Sequence, residues 1–159
     1  MGCYRNILVA VDGSPDAAAA LHHAASLARD QHAKLIVLTV AQPIAAQVVS
    51  PAGVLPPPID PDDTFSRILR DAVDDLPADV GVETQLTHGR PARRILAIAD
   101  ERDCDLIVMG AHGHGRLHHA LIGSVSDKVL RVSRLPVLLL RAAPSPEPAD
   151  PANVDIATA

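Results

Sequence analysis

The chain of 159 residues has no tryptophan, one tyrosine, Tyr4, and one phenylalanine, Phe65. It therefore has no run of rings on which successive bases could stack, and a flavin would lack the aromatic flanks that its isoalloxazine wants. Basic charge is short as well: 14 Lys and Arg stand against 19 Asp and Glu, for a formal net charge of −5. A nucleic-acid binder shows the reverse balance, concentrated on one face, so nucleic acid is not the expected partner. Cys3 and Cys104 are the only cysteines, and they have neither CxxC spacing nor the numbers of a disulfide framework; they read as reduced thiols of a cytoplasmic protein. No apolar run approaches the roughly 20 residues of a membrane span, and no signal-peptide core precedes the polar Asp12-Gly13-Ser14, so no membrane partner is expected. Met1-Gly2-Cys3 glances at N-myristoylation, but Asn6 stands where Ser or Thr is needed.

What is present alternates. Asn6 to Val11 is an aliphatic run that ends at Asp12-Gly13-Ser14-Pro15, where Ser14 can cap a helix and Pro15 takes its first position. That helix, Pro15 to Gln31, is rich in alanine on its inner stripe, with His22 and His23 toward solvent. Lys34 to Val40 reads as a second buried strand. Residues 41–63 hold Pro43, Pro51, Pro56, Pro57, Pro58 and Pro61, which predict a long loop or polyproline segment leaving a strand's carboxyl end. Thr64 to Leu76 repeats Phe65, Ile68, Leu69, Ala72, Val73 and Leu76 at helical spacing. Val82 to His88 alternates like an edge strand with one wet face, and a further helix opens at Pro91. Asp105 to Met109 is a fourth strand and Val137 to Leu140 a fifth. Residues 142–159 form a Pro- and Ala-rich tail too polar to offset its ordering entropy.

Strands alternating with helices give right-handed βαβ units. The expected fold is α/β, a single domain over residues 1–141 with a doubly wound, five-stranded parallel sheet of order 3-2-1-4-5, flavodoxin-like. In such sheets ligands sit at the carboxyl ends of the strands where the topology reverses, here strands one and four, which end at Asp12 and Gly110.

Gly110, Gly113 and Gly115 follow the fourth strand, and Gly123-Ser124-Val125-Ser126 opens the next helix, with Ser124 and Asp127 as a capping pair and Val125, Val129 and Val132 at helical spacing. Strand, glycine loop and helix N-terminus together make a phosphate site. Two better-known patterns fail: a Walker A loop needs Lys then Ser or Thr where Arg116-Leu117 stand, and a Rossmann fingerprint needs Gly or Ala where His118 stands. Gly110-x2-Gly113-x9-Gly123-Ser124 instead resembles the nucleotide-binding motif of the ATP-binding branch of the universal stress protein family. The resemblance runs from Asn6-Ile-Leu-Val-Ala-Val-Asp-Gly-Ser14 to Pro136-Val-Leu-Leu-Leu-Arg141.

The resemblance implies an adenine nucleotide alpha hydrolase-like version of the fold and ATP as the ligand. It implies Asp12 and Val40 beside adenine and ribose, with Ala10, Val11, Ser14 and Met109 nearby. Phosphates would lie against Gly110, His112, Gly113, His114, Gly123, Ser124, Val125 and Ser126. No lysine stands in the loop, so phosphate charge falls on backbone amides, the helix terminus, Arg116 and a divalent cation such as Mg²⁺. That suits holding ATP in a nucleotide-gated regulatory module of the stress response. A slow ATPase or self-phosphorylating enzyme is the first alternative, with no catalytic residue named; metal binding by His112, His114, His118 and His119 is the second. Val137 to Leu140 is wholly apolar at a sheet edge, which predicts a homodimer through that strand.

Overall fold

A computed structural model of the chain describes residues 4–42, 61–113 and 122–143. All five strands and three of its helices take up the expected runs with ends shifted by at most one residue: β1 Asn6–Ala10, α1 Pro15–Gln31, β2 Lys34–Ala41, β3 Val82–His88, α3 Pro91–Glu101, β4 Leu106–Gly110, α4 Ser124–Val132 and β5 Val137–Leu140. The remaining helix, α2, covers Pro61–Asp74. All strands are parallel in the order β3-β2-β1-β4-β5, the expected doubly wound arrangement. The polyproline reading of the loop falls mainly on residues 43–60, and that of the tail on 144–159; both lie outside the described residues, as does Met1-Gly2-Cys3.

The central strands are buried on both faces, as their uninterrupted aliphatic runs demand. One face packs Ile7, Val9, Leu35 and Val37 under α1 and α2, and the other packs Leu8, Ile36, Leu38 and Ile107 under α3 and α4. Ala17, Ala20, Ala24, Ala25 and Ala28 give α1 a face without bulk, so its axis lies close to the sheet. Asp105 is not in β4. Its carboxylate accepts from the Arg5 and Asn6 amides at 2.7 and 2.9 Å, which joins the starts of β1 and β4 and lowers its pKa.

Several local expectations are corrected. Pro61 opens α2 rather than ending a loop, because proline is tolerated where a helix has no N–H to bond, and Asp62 and Asp63 follow it in the first turn. The helix stops at Asp74, short of Leu76, whose amide closes a turn on the Val73 carbonyl at 2.9 Å. The edge strand β3 has no clean wet face: Glu83 pairs with Lys34 and Arg102, Gln85 accepts from Arg102, and Thr87 is buried beneath Arg94. In α4 the cap is Gly123, not Ser124, and no side chain caps the helix. Val129 is buried, whereas Val132, expected on the same stripe, is 66% exposed at the helix end.

Candidate functional site

The carboxyl ends of β1, β2 and β4 open into a cleft of about 390 Å³, within the usual range for small-molecule sites. Ala10, Val11, Asp12, Ser14, Val40, Met109, Gly110, His112, Gly113, Gly123, Ser124, Val125 and Ser126 all line it. Every residue singled out from the sequence is therefore brought together there except His114, which lies outside the described residues with Gly115, Arg116, His118 and His119.

The β1–α1 turn is held by its own side chains. Gly13 has φ +82°, a left-handed value that favours glycine. The Asp12 carboxylate accepts from the Ser14 amide at 2.9 Å. The Ser14 hydroxyl accepts from the Ala17 amide at 3.2 Å, capping α1, and donates to the His112 carbonyl at 3.3 Å. One serine thus ends a strand turn, starts a helix and ties down the glycine loop.

The loop glycines serve close approach rather than unusual backbone angles, since none of Gly110, Gly113 and Gly123 has positive φ. A Cβ on Gly110 would lie 2.8 Å from the Ala17 nitrogen, so this glycine lets β4 and the first turn of α1 touch. On Gly113 a Cβ would meet Asp12 Oδ2 at 2.7 Å, and on Gly123 it would meet the Ala111 carbonyl oxygen at 3.1 Å. The Gly123 amide donates to that same carbonyl at 2.7 Å, and Ser126 Oγ donates to the Gly110 carbonyl at 2.8 Å. These bonds fix the start of α4 against the end of β4. The first bond within α4 runs from the Asp127 amide to the Gly123 carbonyl. The amides of Ser124, Val125 and Ser126 therefore have no helical acceptor, and among the described residues no side chain caps them. Three donors at the positive end of a helix dipole favour an anion in the cleft.

Sequence reasoning missed Asp16, which organises the far side of the loop. Its Oδ2 accepts from the His112 amide and lies 3.1 Å from His112 Nδ1, and its Oδ1 accepts from the Ala142 amide at 2.9 Å. A carboxylate only accepts here, so His112 carries its proton on Nδ1. Burial raises the Asp16 pKa, but the bonds from Ala142 and His112 outweigh it and leave the group below the ordinary value. Leu38, Gln42, Phe65, Pro91 and Ile95 also line the cleft unforeseen. Phe65, read in the sequence only as part of a helical stripe, lies in the cleft wall with Val11, Val40 and Met109. Among the described residues no three His, Cys, Asp or Glu side chains converge as a metal-ligand group.

A doubly wound parallel sheet whose glycine-lined crevice opens at strands one and four defines an α/β protein with its ligand crevice at the topological switch point. The chain belongs to the universal stress protein family, whose sequence profile matches residues 3–141. Universal stress protein YxiE of Bacillus subtilis (strain 168) is 36% identical over 148 residues, 87% of this chain and 99% of the relative. Among solved structures, a universal stress protein in complex with cAMP matches with a TM-score of 0.66 at 28% identity, covering 88% of this chain and 98% of its own. A family member from Burkholderia pseudomallei matches at 0.64 and 31% identity, covering 88% and 97%.

Proposed function

We propose that the chain binds ATP in this cleft and acts as a nucleotide-gated regulatory module of the stress response, in the cytoplasm, as a homodimer joined through β5. The observation that carries the reading is the uncapped start of α4, whose Ser124, Val125 and Ser126 line one cleft with Gly113 and an aliphatic wall. The amides would take the phosphates, and Val11, Val40 and Met109 the adenosine, with Asp12 at the ribose. The family member solved with cAMP supports an adenine nucleotide. A divalent cation such as Mg²⁺ would enter with the triphosphate and share its charge. Holding is favoured over hydrolysis because Asp12, the carboxylate that lines the cleft among the described residues, already accepts from the Ser14 amide.

At a hundred times its dissociation constant, a ligand adds about 2.7 kcal/mol of stability, and ATP should then raise the melting temperature by roughly 5–11 °C. Mass spectrometry of nucleotide released from freshly purified, denatured protein should show an adenine nucleotide. An ATP shift of zero, with no nucleotide released, would end this reading.

A further inference from the structure

The cleft has two unlike ends. At one, the glycines and the α4 terminus present backbone amides; at the other, Val40, Gln42, Phe65, Pro91 and Ile95 line the space beyond β2. Phe65 comes from α2, which covers the same face of the sheet as α1, whereas Pro91 and Ile95 come from α3 on the opposite face. Ile68, Leu69 and Ala72 of α2, and Leu76 just after it, all pack into the first core. Phe65, one turn earlier on the same helix, is not among the side chains packed in either core, and it lines the cleft instead. Among the described residues, the sole phenylalanine of the sequence thus stands outside both core clusters. A partly buried ring facing a cleft gains apolar contact from whatever fills it, and a planar heterocycle stacked on its face gains the most.

We propose that Phe65 is a specificity-determining wall for the base of the bound nucleotide, with its ring face against the heterocycle while the amides at α4 hold the phosphates. The proposal rests on the nucleotide reading above and adds the residue that selects for a planar base. Stacking of a base on an aromatic side chain changes affinity by about 5- to 150-fold on truncation. A ring at the mouth of an open cleft belongs toward the lower end of that range, near tenfold.

Calorimetry with ATP, and with inorganic tripolyphosphate as a competitor, on the parent and on Phe65→Ala, Phe65→Leu and Phe65→Trp tests this. Phe65→Ala and Phe65→Leu should weaken ATP roughly tenfold and leave tripolyphosphate competition unchanged, while Phe65→Trp should bind ATP as well as the parent. Because the sequence has no other tryptophan, the fluorescence of Phe65→Trp reports on that site alone and should change with ATP but not with tripolyphosphate. Equal ATP affinity in the parent and Phe65→Ala, or equal weakening of ATP and tripolyphosphate, overturns the base wall while leaving the nucleotide reading intact. No ATP binding by the parent overturns both.

Discussion

Asp16 accepts hydrogen bonds from two segments far away in the chain, at His112 and Ala142, and those bonds hold its ionised form. Its folded pKa is depressed below the ordinary 3.8, so the stability it contributes is present above that value and is lost as pH falls through the folded value. Asp16→Ala should cost about 2–3 kcal/mol near neutrality. In urea unfolding, the gap between parent and variant should narrow below about pH 4; a gap that stayed constant down to pH 2.5 would contradict it. The glycines separate in the same way. Gly110→Ala forces a methyl against the Ala17 and Asp16 backbone at 2.8 Å, which cannot move cheaply, and should cost about 1–3 kcal/mol in stability. Gly113→Ala meets a carboxylate oxygen instead, so its effect should appear mainly as weaker ATP in a titration while the urea midpoint stays close to that of the parent.

At the scale of elements, the N-terminus of α1 is the joint between helix and loop, because Ser14 both caps the helix and bonds the His112 carbonyl. Ser14→Ala should cost about 1–2 kcal/mol, measurable as a lower urea midpoint. Joints of this kind divide what was legible in the sequence from what was not. Strands and helices followed from periodicity, and the sheet order from their alternation, because both signals lie within a dozen neighbouring residues. The glycine motif was legible for the same reason: its spacing and its setting between strand and helix are local. Asp16 and Phe65 were not, since nothing beside Asp16 in sequence announces a partner 96 positions later, and Phe65 carries the same helical spacing as the core residues after it. The cap of α4 was misassigned because Ser-x-x-Asp fits a capping box in sequence, while Gly123, pulled onto the Ala111 carbonyl, takes the cap position one residue earlier.

At the scale of the whole molecule, the sheet ends on one side in β5, whose Val137–Leu140 are all half-buried. The Pro136 and Leu140 carbonyls accept from the Ile107 and Ala111 amides. In a parallel ladder the alternate residues, Val137 and Leu139, then turn their backbone groups to the open edge. If that edge pairs with its copy, sedimentation at micromolar concentration should show a dimer. Leu139→Pro, which removes an outward N–H without touching the β4 ladder, should give a monomer. The bond from the Ala142 amide to Asp16 has a practical corollary for anyone handling the protein. It joins the segment that follows β5 to the first turn of α1 and, through the other oxygen of Asp16, to the glycine loop at His112. A shortened chain should therefore keep Ala142, because losing its amide would loosen the carboxylate that holds the loop.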